Sequence, residues 1–338
     1  MNTLFETGQD GGTATTHDWL NRCYFGDRLE TLRRMPGGIV NTCVTSPPYF
    51  GLRDYGHAGQ IGLEPTPEEF VAKLVTVFRE VRRVLRDDGT LWLNIGDSYA
   101  SNPASGGRQT GKMTGGEHKR TPSERKYQRP EGLKPKDLIG VPWTLAFALR
   151  ADGWYLRQEI IWSKPNPMPE SVRDRCTKSH EQIFLLAKSA NYYYDQKAIM
   201  KPAIYGEQHA KKTTSFGTNR KHPNKANTAD YAFKGDNSTC YKDESGVFMK
   251  NRRSVWTVST KPYKGAHFAT FPPDLIEPCV LAGAPTGGVV LDPFFGSGTT
   301  GQVAQQLGRK FIGIELNPAY KALQDERLRQ PSLMLEAA

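Results

Sequence analysis

Residues 289–314 restrict the fold more than any other stretch. Val289-Val290-Leu291 is a short apolar run suited to a buried strand, and Asp292 to Gly298 is a glycine-rich turn. Thr299 to Leu307 has a helical pattern, and Phe311 to Ile314 is a second apolar run. Strand, turn, helix and strand at this spacing make a βαβ unit, whose two strands lie parallel in one sheet. The alternation recurs upstream. Cys23-Tyr24-Phe25 ends at Gly26-Asp27, and Val40 to Thr45 ends at Ser46-Pro47-Pro48-Tyr49. Thr66-Pro67-Glu68-Glu69 is a capping box with proline at the first helical position. The helix it opens sets Phe70, Leu74, Val77, Val81 and Leu85 on one face, with Gly89 as its stop. Thr90 to Ile95 predicts a strand ending at Gly96-Asp97. Pro142 to Leu149 predicts a helix, and Tyr155 to Trp162 and Gln182 to Ala187 predict strands. The class is α/β, a parallel sheet wrapped on both faces, with its ligand site beyond the carboxyl ends of the strands. Four strand ends carry polar loops, at Asp27, Ser46 to Tyr49, Asp97 and Asp292, which points to an enzyme.

Two segments break the alternation. Residues 100–136 scatter Arg108, Lys112, Lys119, Arg120, Arg125, Lys126 and Arg129 among Gly, Ser and Pro. Residues 200–253 are polar, carry Lys211, Lys212, Arg220 and Lys221, and are dotted with Tyr205, Phe216, Tyr231, Phe233 and Tyr241. Basic residues interleaved with aromatics suit phosphate contact and base stacking. The net charge of +10 on 338 residues suits a polyanionic partner, and a hydrophobic content of 37% gives a real but lean core. The five cysteines have no CxxC pair and no His cluster at zinc spacing, so reduced thiols and no metal are expected. No apolar run approaches bilayer length and the N-terminus has no apolar core, so a cytoplasmic protein is expected.

Gly296-Ser297-Gly298-Thr299-Thr300-Gly301 reads GxGxxG after a strand and at a helix start, as a nucleotide-binding turn does. Glu315 ends the next strand, where an acid binds a ribose. NAD, FAD and S-adenosylmethionine all satisfy that much. Asp292 separates them: a carboxylate at the strand tip repels a pyrophosphate but pairs with the ammonium of a methionine moiety. The other loop, Thr45-Ser46-Pro47-Pro48-Tyr49, is made rigid by its prolines, which aim carbonyls outward. A conjugated exocyclic amine is a poor nucleophile. Hydrogen bonds accepted by Ser46 and the Pro47 carbonyl localise its lone pair, while Tyr49 stacks on a base flipped out of the duplex.

Together, TSPPY and DPFFGSGTT in this order resemble the beta-class amino-methyltransferases of DNA, found in restriction-modification systems and phages, over roughly residues 22–325. The resemblance implies a Rossmann-like fold, a mostly parallel seven-stranded sheet with an inserted target-recognition region, and S-adenosylmethionine as cofactor. It implies Ser46, Pro47, Pro48 and Tyr49 as the catalytic loop. Asp292, Pro293, Phe294, Gly296, Ser297, Gly298 and Thr299 become the cofactor loop, Glu315 the ribose ligand and Asn317 its neighbour. Asp27 resembles the element near the adenine, and Phe271 and Pro272 the segment closing over the cofactor. Lys164-Pro165-Asn166 and Ser179-His180-Glu181 resemble stretches common in relatives and receive no catalytic role. Relatives with Ser before Pro-Pro-Tyr usually methylate cytosine N4 and those with Asp adenine N6, so Ser46 favours cytosine, with adenine as the alternative.

The expected organisation is a tail over 1–18, a catalytic half over 19–195, a target-recognition insertion over 196–255, a cofactor-binding half over 256–330, and a tail over 331–338. Double-stranded DNA is the expected partner of a monomer or weak homodimer in a bacterial or phage-encoded setting. A separate cognate restriction endonuclease fits the restriction-modification type. Rivals are weaker: Pro278-Cys279 reads as a buried helical cysteine and not a C5-methylation nucleophile, an RNA or protein methyltransferase fits the basic insertions less well, an intact Ser46 and cofactor loop oppose an inactive DNA-binding module, and Asp292 opposes a dehydrogenase.

Overall fold

A computed structural model describes residues 16–52, 56–57, 59–100, 132–203, 240–260 and 271–329. The chain divides into two compact units, Met1–Tyr194 with Val255–Ala338, and Asp195–Ser254. In the first unit the strands are β1 (Arg22–Phe25), β2 (Val40–Thr45), β3 (Leu85–Ile95), β4 (Tyr155–Ser163), β5 (His180–Ala187), β9 (Val255–Thr257), β10 (Val289–Asp292) and β11 (Lys310–Glu315). They form one sheet in the order β1-β11-β10-β2-β3-β5-β4-β9. Every neighbouring pair is parallel except β3–β5 and β5–β4. The second unit holds β6 (Lys201–Pro202), β7 (Cys240–Lys242) and β8 (Phe248–Lys250), an antiparallel sheet in the order β6-β8-β7.

The helices are α1 (Arg28–Arg34), α2 (Pro67–Val84), α3 (Val141–Ala151), α4 (Pro273–Gly283), α5 (Thr299–Gln306) and α6 (Lys321–Arg329). Thr66 caps α2 by accepting from the Glu69 N–H, and Phe70, Leu74, Val77, Phe78 and Val81 are buried along its inner face. With Leu32 of α1 and Leu145 and Leu149 of α3 they pack on Leu91, Leu93 and Ile95 of β3. Trp92 points the other way, toward Gly283 of α4. A strand buried on both faces reads as a largely apolar run, which is why β3 is buried from Gly89 onward and carries Leu91, Trp92 and Leu93 in succession.

Three sequence expectations are corrected. Among the described residues the sheet has eight strands, not seven. The extra one, β9, is a three-residue edge strand beside β4, too short to show a period. The α2 helix ends at Val84, so Leu85 and Gly89 lie in β3 and Gly89 stops nothing. Helix α6 was not foreseen, because Gln324 and Arg327 are buried polar residues that hide its inner face.

The parallel strands all end at one sheet edge, and β5 begins there. The Phe295 ring is wedged between α5 and β11, stacked on Phe311 with centroids 5.5 Å apart. A Cβ on Gly313 would sit 2.5 Å from Phe295 Cγ, and one on Gly301 2.6 Å from its Cζ. The third glycine of the GxGxxG pattern therefore admits an aromatic ring between helix and strand. Gly313→Ala should cost about 1–3 kcal/mol in urea unfolding, and adding Phe295→Leu should restore part of the loss. An unchanged midpoint for Gly313→Ala would rule out the wedge.

Candidate functional site

The carboxyl edge of the large sheet brings the two sequence loops together through Asp292. This carboxylate, 2% exposed at the tip of β10, accepts from Thr45 Oγ1 at 2.6 Å, Thr300 Oγ1 at 2.6 Å and the Phe294 N–H at 3.0 Å. Thr45 is the last residue of β2 and immediately precedes Ser46, whereas Thr300 lies in the first turn of α5. One buried acid thus fixes the start of the Ser-Pro-Pro-Tyr loop and the start of the glycine-turn helix. Burial raises the Asp292 pKa from 3.8 to about 6, opposed by its three donors. The carboxylate has about four acceptor positions, and three are used.

The glycine turn is shaped from both sides. Glu315, at the end of β11, accepts from the Gly296 N–H at 2.7 Å and the Asn317 N–H at 2.8 Å, and burial raises its pKa. Gln324 of α6 donates to the Gly296 carbonyl at 2.6 Å. Gly298 caps α5 with φ +86°, a conformation that favours glycine. Arg327 donates to the Thr299 hydroxyl. Pro293 is buried, Phe294 is half-buried, and Ser297 is 3% exposed with its Oγ lacking a hydrogen-bond partner among the described residues. Asn317 caps the turn after β11 by accepting from the Ala319 N–H at 2.9 Å.

Next to this turn, Asp27 follows β1 and caps α1, accepting from the N–H groups of Leu29 and Glu30 at 2.9 and 3.0 Å. Arg28 is 5% exposed, its guanidinium 5.1 Å from the Phe294 ring centroid. Burial lowers its pKa, while Asp27, Glu315 and Glu64 pull it up. Phe271 is half-buried, and Pro272 is buried at the start of α4.

At the adjoining strand ends, Ser46 is half-buried. Pro47 is buried, and Pro48 and Tyr49 are half-buried. Tyr49 donates to Glu181 Oε2 at 2.6 Å, and Lys164 forms an ion pair with Glu181 Oε1. Asp97 accepts from the Gly140 and Val141 N–H groups and so anchors the start of α3. Cys279 is buried in α4 and donates to the Leu275 carbonyl at 3.8 Å, as a helical core thiol does. Among the described residues no cluster of His, Cys, Asp and Glu suits a metal, and no helix is long and apolar enough to cross a membrane. Arg108, Lys112, Lys119, Arg120, Arg125, Lys126, Lys211, Lys212, Arg220 and Lys221 lie outside the described residues.

Residues 40–326, which span both loops, match the sequence profile of DNA methylases. The chain belongs to the DNA methylase family. It is 49% identical over 303 residues to the type II methyltransferase M.SmaI of Serratia marcescens, covering 90% of this chain and 89% of that one. It is 48% identical over 312 residues to M.Cfr9I of Citrobacter freundii, covering 90% and 86%. Among solved structures, the PvuII DNA methyltransferase (cytosine-N4-specific) superposes with a TM-score of 0.58 at 18% identity, covering 92% of this chain and 87% of that one. TTHA0409 of Thermus thermophilus, complexed with S-adenosyl-L-methionine, gives 0.52 at 23% identity, covering 90% and 92%. This methyltransferase is therefore of the N4/N6 type, and its methyl donor is S-adenosylmethionine. The glycine turn fits that donor: it offers an unpartnered buried hydroxyl at Ser297 and a backbone bare of side chains at Gly296 and Gly298.

Sequence reasoning assigned no role to Thr45, Arg28, Gln324, Arg327 or Glu181. Thr45 stood inside the quoted motif, but its partner lies 247 positions away. The Asp292 environment has a pH signature. Its folded pKa of about 6 exceeds the ordinary 3.8, so the folded state holds the proton longer. Stability from this group is fully present below pH 3.8 and lost as pH rises to about 6. Asp292→Asn should gain on the wild type across that window by up to about 3 kcal/mol, read by urea unfolding at several pH values. A difference constant with pH would show that Asp292 is not a buried ionising acid.

Proposed function

We propose that the enzyme transfers a methyl group from S-adenosylmethionine to the exocyclic N4 amine of a cytosine flipped out of duplex DNA. The observation that carries this reading is the half-buried Ser46, one residue beyond the Thr45–Asp292 bond that ties its loop to the glycine turn. An acceptor for an amine beside a turn that takes the methyl donor is what the transfer needs. When bound, S-adenosylmethionine supplies a sulfonium methyl open to in-line attack. Ser46 and the Pro47 carbonyl accept hydrogen bonds from the amine, localise its lone pair and provide the path by which its proton leaves. Tyr49 stacks on the base, and positioning accounts for most of the remaining acceleration.

In the cofactor half, the fourth acceptor position of Asp292 takes the methionine ammonium, Ser297 supplies a hydroxyl, Glu315 holds the ribose and Asp27 approaches the adenine. Phe271 and Pro272 close over the donor. The serine that opens the Pro-Pro-Tyr loop, where an aspartate accompanies adenine specificity, favours cytosine. The insertion over 196–255 serves as the target-recognition region, and the basic residues of 100–136 and 200–253 neutralise phosphates.

Nucleoside mass spectrometry of unmethylated duplex DNA after incubation with enzyme and S-adenosylmethionine should find N4-methylcytosine. N6-methyladenine in its place would overturn the cytosine assignment. Ser46→Ala should lower kcat on the order of 100-fold with cofactor affinity nearly intact in calorimetry, and equal loss of both would remove Ser46 from its role. Asp292→Ala should weaken cofactor binding about 10- to 100-fold, and an unchanged Kd would sink the ammonium pairing.

A further inference from the structure

Glu181 is the residue at this site that the mechanism above leaves unused. It is the second residue of β5, opposite Trp162 at the edge where β2, β3 and β4 end, and its carboxylate meets Asn94 of β3 and Lys164, the residue after β4. Its side chain is 13% exposed and both oxygens are engaged. Oε1 is paired with Lys164, whose ammonium lies 4.3 Å from the Trp162 ring centroid. Oε2 accepts from Tyr49 Oη at 2.6 Å and from Asn94 Nδ2 at 3.2 Å.

We infer that Glu181 is a positioning residue, acting through the Tyr49 hydroxyl to fix the ring on which the target base stacks. Tyr49 is held at its ring and at its hydroxyl. Its ring edge lies against Gly96, where a Cβ would come within 2.6 Å of Tyr49 Cε2, and its hydroxyl donates to Glu181 Oε2 at 2.6 Å, with Asn94 Oδ1 farther off at 3.4 Å. The ring contact limits how deep the ring sits, and the hydroxyl contacts set its tilt. A carboxylate accepts and the phenol donates, so the shorter of the two hydroxyl contacts runs from Tyr49 to Oε2. A purely architectural role explains less. The register of β4 on β5 is already set by backbone pairing, with Trp162 opposite Glu181 and Ser163 opposite His180. A partly exposed ion pair adds little to such a ladder.

This inference rests on Tyr49 stacking on a flipped base but is indifferent to which base is methylated. It is tested by a double-mutant cycle of Glu181→Ala and Tyr49→Phe, with methyl transfer to duplex DNA as readout. Each single variant should lower kcat/KM about 10- to 100-fold, mostly in kcat, and the double variant should be no worse than the poorer single one. Glu181→Gln, whose amide oxygen still accepts from Tyr49, should recover activity relative to Glu181→Ala. Cofactor affinity by calorimetry should stay within about twofold of wild type, since Glu181 acts on the base side. Losses that multiply in the double variant, or Glu181→Gln as poor as Glu181→Ala, would overturn the assignment. Should Glu181→Ala fail to fold, the same cycle is run with Glu181→Leu, which fills the space but cannot accept from Tyr49, and Tyr49→Phe, where a product of losses equally refutes it. A wild-type enzyme that methylates no DNA would refute the functional reading itself, a result distinct from either.

Discussion

The buried carboxylate of Asp292 is the interaction on which the site depends. Removing a carboxylate from water is costly unless hydrogen bonds replace the solvent, and here Thr45, Thr300 and the Phe294 amide do so. These donors belong to β2, α5 and the turn that follows β10. The acid can be accommodated only when all three segments are in place. The cost of burial, visible in its raised pKa, is therefore also a source of precision: the Ser-Pro-Pro-Tyr loop and the glycine turn cannot drift apart without stranding a charge.

A second acid repeats the principle one strand over. Glu315 binds the Gly296 amide while Gln324 binds the Gly296 carbonyl, so both polar groups of a single glycine are spoken for from opposite sides. Phe295 fills the space that Gly301 and Gly313 leave open. The turn is consequently rigid before any ligand arrives, and a rigid site loses less entropy on binding. Arg28, held against Phe294 among three acids, offsets part of the negative charge gathered here.

Most of the fold was legible because parallel strands buried on both faces give unbroken apolar runs, and each ends at a polar loop. The two loops proposed to carry the chemistry stood out for a related reason: prolines, glycines and acids at strand tips have few other uses. What escaped was non-local. Thr45 is an unremarkable strand threonine until Asp292 is placed beside it. Gln324 and Arg327 make α6 look like a solvated tail, because polar residues buried through hydrogen bonds leave no apolar period. Glu181 and Lys164 stood in the sequence as a familiar stretch, yet only the antiparallel placement of β5 brings that carboxylate to Tyr49.

The strand order also sets a timetable for synthesis. β2 is made about 250 residues before its β10 neighbour, and among the described residues β1 pairs only with β11. Until β10 is made, the nascent sheet therefore presents β2 as an open edge, ready to pair with other chains. β10 closes this edge and brings in the glycine turn that follows it. A chain that stops short of β10 thus exposes an unpaired strand and lacks that turn at once.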